Sequence, residues 1–248
     1  MTSYARSRHR KKEKEVLENA DRVITIAPFH RERLEALSGR KVNLITNGFD
    51  AEDFIEDGYS QTEKFTVRHI GIVDELRNPR PFMNAVKELC ENNRTILQKI
   101  YIEFIGDVNS DFQNEIMNDN ILSKITSFKS HVSHEMILEL YKKTDLQLLI
   151  LAHTSIAPGN LPGKFFEYMA SGVPILAIGP EDGDAARIIN ETKCGVIHNR
   201  NAHETIMQSV NRYFEGWTKG EKPVSTDVSK YSRKNLTWQL SELLHSLK

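Results

Sequence analysis

The chain has 248 residues, with 33 Lys and Arg against 34 Asp and Glu, so its net charge is close to zero. That balance gives no global attraction to nucleic acid, which is excluded as an expected partner, and none to an anionic membrane. Two cysteines, Cys90 and Cys194, lie far apart; this disfavours a disulfide framework or a zinc site and suits a reducing compartment.

No apolar run approaches the roughly 20 residues of a membrane span. The basic N-terminus has no apolar segment behind it and does not read as a secretory signal. The expectation is a soluble, cytoplasmic protein of one large or two small domains.

Residues 4–19 are expected to form a charged helix with a basic cluster at Arg6, Arg8, Arg10, Lys11, Lys12 and Lys14. Its plain reading is a solvated face; its sharper one is contact with anionic lipid headgroups. A strand follows at 21–27, a helix at 29–37 ended by Ser38 and Gly39, a short strand at 42–45, and a turn at Asn47, Gly48, Phe49 and Asp50. A polar linker is expected up to residue 64. Strands are then expected at 65–70, 100–105, 124–128, 145–151, 173–177 and 195–198. Helices are expected at 79–91, 112–117, 134–142, 184–191, 202–214 and 233–247. Strands alternating with helices imply an α/β, Rossmann-like parallel sheet with helices on both faces. In such sheets ligands sit beyond the carboxyl ends of the strands.

The most informative stretch runs from 161 to 177. Gly159, Pro162 and Gly163 mark a loop, with the Pro expected just inside a helix start. Phe165, Phe166, Met169 and Ala170 recur at helical spacing, and Gly172 can stop the helix before a buried strand. Lys164 and Glu167 are three apart, on nearly the same side of the first turn. A helix N-terminus offers unpaired N–H groups and partial positive charge, which suits a phosphate. Lys164 adds a full charge there, and a carboxylate one turn further in can accept hydrogen bonds from a ribose diol. An ordinary surface helix with a wet Lys and Glu is the other reading of the spacing.

The segment Pro162-Gly163-Lys164-Phe165-Phe166-Glu167-Tyr168-Met169-Ala170-Ser171-Gly172-Val173-Pro174 resembles the donor-binding motif of family 4 glycosyltransferases, which have the two-domain GT-B fold. The resemblance implies that Glu167 binds the ribose of a nucleoside-diphosphate sugar. The family's first Glu falls at Gly159, where this sequence departs from the pattern. Gly71 and Arg77 match the family's diphosphate-binding Gly and its second base, and Ile72 stands where an Arg is usual. An Arg at that second position can grip phosphate oxygens bidentately. Gly106, in the turn Ile105-Gly106-Asp107, gives backbone room. His131 and Val132 lie where the family's backbone meets the nucleotide base, and Ser133 reads as a helix N-cap. Residues 20–50 resemble the end of the family's N-terminal half.

The resemblance thus implies a remnant of the N-terminal acceptor domain at 1–50 and a linker at 51–64. It implies a donor-binding domain at 65–225 and a helix at 226–248 that packs back toward the junction. The expected function is transfer of a hexosyl group from a nucleotide sugar in cell-surface polysaccharide synthesis. The missing acceptor half is a required partner, and the chain alone is inactive. No catalytic set can be assembled from local spacing, and no cofactor is expected. Asp182 and Asp184 form the rival metal reading, a paired carboxylate that could hold a divalent ion on a diphosphate; they also stand where acids stabilise a helix start. A GT-B sugar-nucleotide epimerase and a non-catalytic nucleotide-binding module are the alternatives. The expected site is the cytoplasm, with contact at the inner membrane face through a lipid-linked acceptor.

Overall fold

The computed structural model describes residues 2–54, 59–221 and 226–247. It begins with α1 (Ser3–Asn19), β1 (Val23–Thr25), α2 (Pro28–Ser38) and β2 (Val42–Leu44). The two short strands pair with each other: β1 and β2 form a parallel ribbon with Val23 opposite Val42. Leu17, Val23 and Val42 make a small core, with Leu34 and Leu37 packed on it. The Arg40 guanidinium donates to the carbonyls of Leu17, Glu18 and Ala20 at 2.8, 2.7 and 2.6 Å, so a cation closes the last turn of α1.

The larger unit continues with β3 (Phe65–Ile70), α3 (Arg80–Asn92), α4 (Arg94–Lys99), β4 (Ile100–Ile105), α5 (Ser110–Asn118), α6 (Leu122–Ile125) and β5 (Thr126–Lys129). The chain then crosses through α7 (His134–Lys142) to β6 (Leu146–Ile150) and α8 (Gly163–Ala170). It ends the sheet with β7 (Ile175–Ile178), α9 (Asp184–Thr192), β8 (Gly195–His198) and α10 (His203–Thr218). The six strands are all parallel, in the order β5-β4-β3-β6-β7-β8. Every residue of β3, β6 and β7 is buried, as expected for strands covered on both faces. Helices α3, α4, α5, α6 and α10 pack on one face, over Val67, Ile102, Leu148 and Ile178. Helices α7, α8 and α9 pack on the other, over Ile70, Leu149 and Ala177.

One expected strand is corrected, and the short helices α4 and α6 are additions to the expected elements. The strand placed at 124–128 begins only at Thr126, because Lys124 belongs to the short helix α6. Helix α4 was not expected; Asn93 caps it by accepting from the N–H groups of Thr95 and Ile96. The described residues of the expected linker are anchored to the larger unit. Residues 51–54 form a 3-10 turn, and Phe54 stacks on Tyr141. Tyr59 and Thr62 donate to the Asp145 carboxylate, which also accepts the Thr66 N–H at 2.7 Å. Residues 55–58 of that linker, and the expected domain edge at residue 225, lie outside the described residues.

The two units meet through specific bonds. The last helix, α11 (Arg233–His245), follows a backbone pairing in which Arg233 donates to the Phe49 carbonyl and Phe49 to that of Tyr231. At the far end of α11, Arg22 donates to the Ser246 carbonyl at 3.4 Å. On the other side of the joint, the buried carboxylate of Asp184 accepts the Phe29 N–H at 2.9 Å. Phe29 sits in the first turn of α2, whose own N-cap, Ala27, has no side-chain bond to offer. Asp184, the first residue of α9, therefore supplies from a distant part of the chain the acceptor that α2 lacks.

Candidate functional site

Strands β3 and β6 are neighbours in the middle of the sheet, yet the chain leaves β3 toward β4 and β5 before returning to β6. Their connections depart to opposite faces, which opens a crevice beyond their carboxyl ends. Inside it the strands part quickly: Val67 faces Leu146 and Arg68 faces Gln147, and the pairing stops there. His69 fills the gap, with Nδ1 2.9 Å from the Leu148 carbonyl. Burial, and then the nearby Lys164 charge, push its pKa down to about 3. The ring is therefore neutral, and Nδ1–H is the donor.

Helix α8 starts at this crevice. Pro162 is its N-cap, one position earlier than expected, with extended backbone and no side-chain cap. Gly163 at the first helical position is exposed, with open space around its α-carbon. Lys164 folds back over the end of β3 and donates to the Ile70 carbonyl at 2.9 Å. Burial, and then the Arg77 charge, lower its pKa to about 8. Arg77 is held by Asp74, which accepts both its backbone N–H and its guanidinium at 2.7 Å. Two cations thus converge where β3 ends, one of them short of solvation.

Gly71 makes that convergence possible. Its φ is +140°, and a Cβ there would stand 2.2 Å from Lys164 Nζ. Gly106, at the end of β4, has φ +125°, and its Cβ would stand 2.6 Å from the Gly71 carbonyl oxygen. The two glycines let adjacent strand ends and a lysine share one small volume.

Glu167 lies one turn into α8, half-buried. One of its carboxylate oxygens accepts the Tyr141 hydroxyl at 2.9 Å. Burial, Tyr168 and the Glu167 charge all raise the Tyr141 pKa, so the phenol stays a donor. Tyr168 completes the frame: its hydroxyl accepts the Ile70 N–H at 2.8 Å. Residue choice in α8 is thereby explained on both sides. Phe165, Phe166, Tyr168 and Met169 are buried, and Lys164 and Glu167 face the crevice.

The structure thus brings Gly71, Arg77, Gly163, Lys164 and Glu167 to one place. His131 and Val132 lie on the next loop, between β5 and α7. His131 pairs with Asp107 at 3.4 Å, both side chains largely exposed, and Val132 packs on the face shared with α8. Asp182 and Asp184 do not act as a pair: Asp182 is exposed, while Asp184 is 2% exposed and occupied by Phe29 and Arg187. Among the described residues, no group of three or more His, Cys, Asp or Glu could hold a metal ion. Gly159 packs against α2, and a Cβ there would stand 2.8 Å from Phe29 Cδ1. Sequence reasoning missed Tyr141 and Tyr168. Tyr168 stands one turn after Lys164 and had a local signal; Tyr141 comes from another helix and had none.

Comparisons with known proteins bear on this arrangement. The family model described as glycosyl transferases group 1 matches residues 50–235. No curated protein sequence matches the chain. Among solved structures, sucrose-phosphate synthase from Thermosynechococcus elongatus aligns with a TM-score of 0.73 at 14% identity, covering 99% of this chain and 63% of that one. A glycosyltransferase from Rickettsia africae aligns with a TM-score of 0.71 at 15% identity, over 97% of this chain and 67% of that one. The pneumococcal O-GlcNAc transferase GtfA, in complex with UDP and GlcNAc, aligns at 0.63 and 12% identity, over 94% of this chain and 47% of that one. The chain therefore spans less than two thirds of the synthase and about half of the pneumococcal enzyme. At these identities the likeness is one of fold, and that fold is GT-B. The crevice at α8 and the family match, which runs through it from the end of the small sheet to α11, carry the same conclusion: this chain belongs to the glycosyl transferases group 1 family.

Proposed function

We propose that the chain is the donor-binding part of a GT-B glycosyltransferase and takes a nucleoside-diphosphate sugar at the start of α8. The observation that carries this reading is the placement of Lys164 and Arg77 over the end of β3, with Glu167 one turn below them. Lys164, Arg77 and the first N–H groups of α8 would hold the diphosphate. Glu167, oriented by Tyr141, would accept from the ribose diol. The base would lie against the loop of His131 and Val132. Two structures sharing the fold offer support by analogy: GtfA is described with UDP and GlcNAc bound, and the synthase by its name makes sucrose phosphate.

In transfer, the bond from the sugar's anomeric carbon to the diphosphate breaks, and negative charge grows on the leaving oxygens. Lys164 and Arg77 are set to stabilise that charge before it develops. The hexosyl group passes to an acceptor whose binding groups come from a second half. The small sheet supports this need. It has two strands only, a number marginal on its own, and Ile24 within β1 and Ile26 just after it are 40% and 42% exposed. The acceptor in this reading is a cell-surface glycan, handled at the cytoplasmic face of a membrane, with the exposed basic side chains of α1 toward lipid headgroups. No metal is used; the cations of the site are side chains.

Calorimetric titration with UDP, GDP, ADP and CMP, with and without magnesium, tests the proposal. One diphosphate should bind without metal and lose at least about tenfold in affinity in both Glu167→Ala and Arg77→Ala. Binding that requires magnesium and depends on Asp182 would overturn the assignment.

A further inference from the structure

The sheet has a second place where connections part. The loops after β6 and β7 lead to α8 and α9 on one face, while those after β3 and β8 lead to α3 and α10, side by side on the other. Between them, beyond the carboxyl ends of β6, β7 and β8, lies a cavity of about 930 Å³. It does not include Lys164, Glu167 or Gly71. Its volume is at the upper end of the range for small-molecule sites, about 300–1,000 Å³.

We infer that this cavity is a second binding site, for a neutral saccharide. The floor is apolar, made by the ends of the strands at Ile150 and Ile178 with Pro158 and Pro180 beside them, and suits the C–H face of a pyranose ring. Above it the lining is short, polar and mixed. Asn78 uses its side-chain carbonyl on the Arg80 N–H at 2.9 Å, and Asn199 uses its own on the Asn201 N–H at 3.1 Å. Those bonds fix both amides and leave their NH2 groups as donors. Arg200 adds another donor, Asp182 supplies an acceptor, and the hydroxyls of Thr154 and Ser155 do both. Glu181 spends one oxygen on the Asn199 N–H at 3.0 Å, which stiffens the wall. Sugar hydroxyls donate and accept at once, so they need such a mixed set.

The charges argue against other ligands. Glu181 and Asp182 oppose the single Arg200, which disfavours a phosphate, and the polar rim disfavours an apolar ligand. The cavity also has a fixed boundary with the first crevice: His153 donates its N–H to the Leu76 carbonyl at 2.9 Å, tying the loop after β6 to the loop after β3. This inference is independent of the nucleotide reading and can stand if that reading fails.

The test is amide chemical-shift mapping on the full chain with maltose, cellobiose, lactose, mannobiose and N,N′-diacetylchitobiose, and with inorganic phosphate as the anionic control. At least one disaccharide should shift the amides of Thr154, Ser155 and Asn199 in a saturable way. Asp182→Ala and Ser155→Ala should each weaken it about tenfold or more while the remaining spectrum stays that of the folded chain. Shifts produced by UDP at Lys164 and Glu167 should be the same in both variants. No shift at those amides with any disaccharide overturns the inference. So do sugar shifts confined to the first turn of α8, or phosphate acting there in place of sugar.

Discussion

A methyl group on Gly71 would stand 2.2 Å from the ammonium of Lys164, the same ammonium that donates to the carbonyl of Ile70. The missing side chain at one position is therefore the space in which the key cation of another sits. Gly71→Ala should push Lys164 off the end of β3 and strain a backbone that already has φ of +140°. The expected cost is about 1–3 kcal/mol of stability, read by chemical denaturation. Nucleoside-diphosphate affinity should fall about tenfold or more, read by calorimetry.

The lowered pKa of Lys164 gives the site a pH signature. Its ammonium is largely charged below pH about 8 and loses its proton above that, whereas an ordinary lysine holds on to about 10.5. Diphosphate affinity should be flat below pH 8 and fall above it, by up to about tenfold per pH unit. Lys164→Ala should bind weakly at every pH and lose this break. The effect on folding has the opposite sense: between pH 8 and 10.5 the unfolded chain carries a proton that the folded one lacks, so this group makes stability rise with pH in that window.

Tyr141 orients Glu167 from a different helix. Tyr141→Phe removes one hydrogen bond to a carboxylate and leaves the ring packing on Phe54 and Tyr168. A loss of about 1–2 kcal/mol of stability is expected. Affinity for the nucleoside diphosphate should drop several-fold, and affinity for inorganic diphosphate, which has no ribose, should not change. Equal losses for both ligands would contradict the assignment of Glu167 to the ribose.

Asp184 holds the two units together. Asp184→Ala leaves the Phe29 N–H without its acceptor and removes a partner of Arg187. Hydrogen exchange in α2 should speed up by about 1–3 kcal/mol of protection, while the amides of β3 and β6 keep theirs. Magnesium should have no effect on this exchange, since the carboxylate is engaged by the chain itself.

Much of the sheet was legible because β6 and β7 are short, largely apolar runs, the pattern of strands buried on both faces, while β3 carries Thr66, Arg68 and His69 among its apolar residues. The start of α8 was legible from Pro162 and Gly163 followed by the helical spacing of Phe165, Phe166, Met169 and Ala170. What escaped was either short or distant in sequence. Helix α4 buries a single residue, Ile96, too little for a periodic signal, and α6 has only four residues. The bond from Asp184 to Phe29 spans 155 residues and leaves no local trace. Two aspartates separated by one glycine suggested a metal pair, but the fold turned Asp184 inward to cap a helix and left Asp182 at the rim of a different cavity. The two strands at 20–50 were legible as strands, but not their pairing with each other, which the crossover helix α2 brings about.

The most direct test of the central claim is a crystal structure of the chain with the nucleoside diphosphate that binds it most tightly. The diphosphate should lie within hydrogen-bond distance of Lys164 Nζ, the Arg77 guanidinium and the first N–H groups of α8, with the ribose hydroxyls on Glu167. A nucleotide seated elsewhere, in the cavity beyond β7 and β8 or away from the sheet ends, would contradict it.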